Sequence, residues 1–186
     1  MARVLSFSQT FPAYHPKKGE QTFFVEKFWN SFNVDYAGSE FLSDFEEQVW
    51  ALNKHLPYAT VSEFLKKRNK GNRDIHGRKN HTIRQGKNWK TGDLFSPRVW
   101  SGIPYHSKQI ILAHNLLVEK AWDFEINGGE FKINNKVYGG ESESIFELLE
   151  SIAFNDGLDR HDLMAWFKYP KPFSGQIICW NKETNY

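Results

Sequence analysis

In the stretch GRKNHTIRQGKNWKTGD, residues 77–93, Thr82 stands two positions before Arg84 and three after Lys79. In an extended segment side chains two apart share a face, so Asn80, Thr82 and Arg84 point together. Lys79 has the opposite parity, yet its long stem reaches round to the same side if it precedes the strand. Such a set suits acyl chemistry. A lysine whose pKa is lowered by neighbouring cations takes the proton of Thr82 and turns its hydroxyl into a nucleophile, while Arg84 stabilises the oxyanion that forms. The same residues also read as structure alone, with Thr82 an ordinary strand residue and Arg84 paired to a carboxylate at the edge of the core.

The surroundings are cationic. Residues 66–90 hold ten Lys or Arg and one acid, Asp74, a formal +9 that leaves the remainder of the chain at −7 and the whole at +2. Charge concentrated in this way fits a surface that meets phosphates, although it also fits a solvated face. Lys66, Lys67, Arg68, Lys70, Arg73, Arg78, Lys87 and Lys90 are the candidate phosphate contacts. Trp89, Trp100 and Tyr105 flank the basic stretch, as stacking a base beside its phosphate requires, or else they are core. The segment SPRVWSGIPYHSK places Arg98, Trp100, Tyr105, His106 and Lys108 around a Gly-Pro loop, either a closure over a ligand or a plain hairpin.

These residues need a frame. RVLSF at residues 3–7 reads as a strand, and TFPAYHPKKGE after it as an exposed loop. From Thr22, the four-residue spacing of Phe24, Phe28 and Phe32, with Val25 and Trp29 beside them, predicts a helix against the core. Two more helices, opened by Ser43/Glu46 and Thr60/Glu63 capping boxes, make a hairpin over residues 39–70. Strands follow in DLFSPRVW, KQIILAH and LLVEKAWDFEI, and Asn134-Asn135 at the centre of EFKINNKVY marks a tight hairpin. Ile145, Leu148, Leu149 and Ile152 define a helix that NDG closes; a shorter helix includes residues 163–167, and GQIICW is a buried final strand.

A chain of 186 residues with 40% hydrophobic and 16% aromatic content supports one packed domain, residues 1–186, of the α+β class. Apolar runs such as IILA are far shorter than the roughly 18 residues a membrane span needs, and MARVLSFSQTF lacks the apolar core of a secretory leader. The single cysteine, Cys179, reads as a buried thiol, so the expected compartment is cytoplasmic and no membrane is involved. No HxH, HExxH or CxxC element supports a metal, His76 and His81 being five apart, and no Walker, GxSxG or GxGxxG motif implies a cofactor.

Gly77, Lys79, Thr82 and Arg84 spell G-x-K-x-x-T-x-R, and Lys90-Thr91-Gly92-Asp93 follows as K-x-G-D. This pattern, set between a helix with F-x-x-x-F-W and a series of strands, resembles the ASCH-domain family, whose fold is a PUA-like β-barrel. The resemblance covers residues 3–32 and 77–180, which makes about 33–76 a helical insertion. It implies recognition of RNA, ahead of DNA, or of a nucleoside or nucleotide. It also implies an alternative, since small bacterial members are amidohydrolases acting on acetylated cytidine through a lysine, a threonine and a later acid. Lys79 and Thr82 match the first two, and Asp156 in Ala153-Phe154-Asn155-Asp156 stands where the family has the glutamate of A-x-x-E. There Asp156 would shuttle a proton, with Arg84 facing the same pocket. Aspartate is one methylene shorter, which predicts a carboxylate roughly 1 Å short of its task. A third expectation, a protein-interaction scaffold, rests on the helices of residues 39–70.

Overall fold

A computed structural model describes residues 2–31, 77–139 and 143–186. The expected insertion at 33–76 lies outside the described residues, and with it Lys66, Lys67, Arg68, Lys70 and Arg73. Over the described residues the fold is mixed α+β, mostly strands in two sheets, with three helices. Among the described residues neither sheet closes into a barrel.

The first sheet begins with β1 (Arg3–Ser6), which runs parallel to β3 (Leu94–Trp100) with Ser6 opposite Arg98. On the far side of β3 lie β4 (Gln109–Ile111) and the two-residue β5 (Leu116–Leu117), both antiparallel. The second sheet is antiparallel throughout: β2 (His81–Gln85), β9 (Phe173–Cys179), β6 (Lys120–Asn127), β7 (Glu130–Ile133) and β8 (Lys136–Tyr138) in that spatial order. Asn134 turns the β7–β8 hairpin at φ 51°, the positive angle its sequence foretells. Gly175 on β9 permits β2 to pair at all, because a Cβ there would lie 2.1 Å from the Arg84 carbonyl oxygen.

Aromatic packing joins the sheets. Phe28, on α1 (Phe24–Asn30), touches Phe7 and Trp180 at ring separations of 5.5 and 5.6 Å, and Trp180 reaches Phe95 of β3 at 5.6 Å. Phe28 and Phe95 are fully buried. Two further helices, α2 (Glu143–Asp156) and α3 (Arg160–Trp166), pack on this core through Ile145, Leu149, Ile152 and Leu163.

Several boundaries differ from the expectation, each for a local reason. Helix α1 starts at Phe24 because Phe23 adopts a left-handed conformation. Helix α3 begins at Arg160, earlier than the apolar residues suggest, because the Asp159 side chain accepts from the Asp162 N–H as an N-cap. KQIILAH yields only β4, since its later residues bend into a turn where Asn115 has φ 52°. LLVEKAWDFEI splits in two where Val118 and Glu119 turn away to bond with Asp93 and Cys179. The loop after β1 is not wholly exposed: Phe11 and His15 are buried, stacked 4.4 Å apart and held against Trp166 and Asp162 of α3.

Candidate functional site

The site is assembled by the end of a helix. Gly157, at φ 76°, takes the left-handed position after α2, with Leu158 N–H bonding to the Ala153 carbonyl and Gly157 N–H to that of Phe154. This is a Schellman ending, and it needs a glycine where the chain reverses. A Cβ at Gly157 would press on Lys27 and the Arg78 carbonyl at 3.0 and 3.3 Å, so the glycine also lets the segment before β2 come close. Asn80 N–H then bonds to the Asn155 carbonyl, and Lys79 N–H to the Lys27 carbonyl of α1.

Lys79 is thereby driven into the interior beside Asp156. Its Nζ donates to Asp156 Oδ1 at 2.6 Å and to the Asp156 carbonyl at 2.7 Å, and lies 3.9 Å from the centre of the Phe24 ring. Lys79 is 1% and Asp156 5% exposed. One methylene shorter than a glutamate, the carboxylate still reaches the lysine. The ammonium also answers an unpaired carbonyl at the negative end of α2, where a cation belongs. Burial lowers the Lys79 pKa to about 8, against the attraction of Asp156. Burial likewise raises Asp156, opposed by Lys79. Desolvation is the larger effect on both partners, as in many interior ion pairs.

Two neighbours were not foreseen. His81 is fully buried, its Nδ1 3.8 Å from Asp156 Oδ1 and its Nε2 2.6 Å from the Tyr186 hydroxyl. Burial and then the Lys79 charge hold His81 well below its usual range, so it is neutral. A histidine inside the motif, next to the strand's first threonine, was the only sequence signal; nothing announced Tyr186. Asn80 is buried among other amides: it donates to Asn155 Oδ1 at 2.7 Å and accepts from Asn181 at 3.4 Å. Thr82 is 3% exposed, opposite Ile178 of β9.

Arg84, at the other end of β2, opens onto a cleft of about 290 Å³. Its Nη2 donates to the Ser6 carbonyl, and it makes no ion pair among the described residues, against the reading that paired it with a carboxylate. Trp100 and Tyr105 line the same cleft, their rings 5.2 Å apart. Tyr105 is 86% exposed on a backbone with φ 66°. Gln9, another lining residue, donates to the Trp100 carbonyl at 3.0 Å. Arg98 stands across from Ser6 on β3, bonded to Gln109 through Nη1, with its Nε buried and unpartnered.

The remaining expected contacts scatter. Trp89 is covered by the Arg3 guanidinium at 3.8 Å, tied to Gln176 at 2.8 Å and packed on Phe95. Lys108 is exposed beyond the Trp100–Tyr105 loop. Lys87 is bound between Asp123 and Glu125 at 3.1 and 2.8 Å, while Arg78 and Lys90 are exposed. Cys179 is buried, bonding to the Asn80 and Asn181 carbonyls. No described helix is long and apolar enough to cross a membrane, and among the described residues no three His, Cys, Asp or Glu side chains gather as metal ligands. The motif therefore serves two places, an interior ion pair and an open aromatic cleft. No protein-family model, curated protein or solved structure matches the chain.

Proposed function

We propose that the chain is an ASCH-like, PUA-related protein that binds nucleic acid or a nucleoside, RNA in preference to DNA, and that it reads a base in the cleft of Arg84, Trp100 and Tyr105. One observation carries this reading: the half-buried Trp100, the exposed Tyr105 and a half-buried arginine share a single cleft, which is the equipment for stacking an unpaired base. The order of strand, helix, motif strand, turn, strands, helix and closing strand supports the PUA-like assignment. The test is retention of a short single-stranded RNA by Trp100→Ala and Tyr105→Ala. Each substitution is expected to weaken it by about 1–3 kcal/mol, roughly 5- to 150-fold. Wild-type affinity in both variants would sink the proposal.

The amidohydrolase reading draws on a different observation, the lowered pKa of Lys79 in contact with Asp156. A lysine near 8 is partly neutral at pH 7 and suited to general-base work. Against it, Lys79, Thr82 and Asp156 are all buried, and the Lys79 protons point at Asp156 and the Phe24 ring. Assayed on N-acetylcytidine, the protein is expected to show no turnover, and Thr82→Ala to change affinity by no more than one hydrogen bond, about 0.5–1.5 kcal/mol. Turnover that vanishes in Thr82→Ala would establish the hydrolase instead. The scaffold reading rests on residues 39–70, outside the described residues.

A further inference from the structure

The cleft has an unbalanced charge. Its lining contains Ser6, Gln9, Thr10, Trp100 and Tyr105 with one charged side chain, Arg84, and no carboxylate. The nearest acid whose charge acts on Arg84, Asp156, is already bound by Lys79 through its side chain. Arg84 spends one N–H on the Ser6 carbonyl. None of its nitrogens is both buried and unpartnered, so the free face of the guanidinium opens into the cleft. A second guanidinium, Arg98, stands beside Ser6 in the adjacent strand and likewise makes no ion pair among the described residues. A half-buried fork of donors without a counter-charge is built to receive a planar or tetrahedral oxyanion in two parallel bonds.

We propose that the cleft takes a base together with its own phosphomonoester, the ring on Trp100 and Tyr105 and the phosphate on Arg84. The inference rests on the base-binding reading above and goes further in naming the group that Arg84 holds. A volume of about 290 Å³ is at the small end of ligand cavities and admits one nucleotide, not a run of them. The phosphate we assign to Arg84 is a terminal one, whose second charge best answers an arginine without a counter-charge. Its source is either a free mononucleotide or the 5′-phosphorylated end of a single strand, which present the same chemistry.

Quenching of tryptophan fluorescence, or calorimetry, with uridine, uridine 5′-monophosphate, and a pentauridylate with and without a 5′-phosphate tests this on the full chain. The monophosphate is expected to bind at least tenfold more tightly than uridine. That advantage should shrink as pH falls through about 6, where the phosphate loses its second charge and arginine keeps its own. Arg84→Gln should abolish the advantage, so that the variant binds uridine and its monophosphate alike. The pH dependence needs no variant, so the proposal stays testable if Arg84→Gln does not fold. A 5′-phosphorylated pentamer that matches the monophosphate identifies strand ends as the source; one that fails while the monophosphate binds identifies the free nucleotide. Equal affinities for uridine and its monophosphate overturn the phosphate assignment and leave the base cleft standing. Binding of none of the four probes overturns both.

Discussion

The Lys79–Asp156 pair and the Trp100–Tyr105 cleft each take one residue, Lys79 and Arg84, from the same eight-residue motif, yet opposite forces fix them. Lys79 is 1% exposed and its ammonium is held by two hydrogen bonds and an aromatic face; Tyr105 is 86% exposed and rests on a neighbouring ring and a strained backbone angle. The difference separates what the fold requires from what a ligand would use. A charge sealed in the interior holds the end of α2 to the start of β2, whereas a large aromatic left in water contributes little until something stacks on it.

The most severe test of this contrast is Lys79→Met. It strands the Asp156 carboxylate in a dry site, and removing one partner of a buried pair costs about 3–5 kcal/mol. Replacing both, as Lys79→Met/Asp156→Leu, should recover most of that loss, since no charge is then left unpaired. Urea unfolding of the two variants decides it. A single variant as stable as wild type would mean that the pair is not sealed, and the distinction between the two places would collapse. Tyr105→Ala, at the other extreme, should unfold within about 0.5 kcal/mol of wild type, as exposed positions do.

Much of the frame was legible because it depends on short-range chemistry. Asn134 at a hairpin, Gly157 after a helical face, and the spacing of Phe24 and Phe28 each state a local requirement that the fold respects. The pairing of Lys79 with Asp156 was reached through the resemblance, but not its meaning. Parity along the strand places Thr82 with Arg84, and only the tertiary packing shows that Lys79 turns inward to the α2 terminus while Arg84 opens outward. Trp89 shows the same limit: an aromatic beside cations reads as a stacking platform, and Arg3, from the first strand, occupies its face. His81 and Tyr186, 105 positions apart, meet because β2 pairs with β9, whose following tail carries Tyr186, a juxtaposition that no local pattern encodes.

A smaller effect sharpens the comparison by pH. Lys79 titrates near 8 in the folded protein and at its ordinary 10.5 when unfolded. Between those values the unfolded chain binds more protons, so this residue's contribution makes stability rise with pH; below 8 both states hold the proton and the contribution is flat. Asp156, raised above its ordinary 3.8, works in the acid range with the opposite slope: the folded state binds more protons there and gains as pH falls through the raised pKa. Subtracting the pH profile of Lys79→Met/Asp156→Leu from that of wild type isolates both, because exposed groups titrate alike in the two proteins. A difference that stays flat between pH 8 and 10.5 and falls only above 10.5 would mean that the ion pair stabilises the folded state more than burial penalises it.

The smallest effect concerns the surface charges, which divide in the same way as the two sites, by whether a partner is already present. Lys87 is exposed but held by Asp123 and Glu125, whose attraction raises its pKa. Any phosphate that approaches it also approaches two carboxylates. Arg78 and Lys90 are exposed and make no ion pair among the described residues. If RNA lies along this face, each free cation that meets a phosphate contributes about 0.7 to the slope of log affinity against log salt, the value for a single strand. Arg78→Gln and Lys90→Gln should each flatten the slope by about that amount, and Lys87→Gln should leave it unchanged. A Lys87→Gln slope that flattens as much as the others would show that the acidic pair releases its lysine to the strand, and the paired and unpaired cations would then belong to one surface.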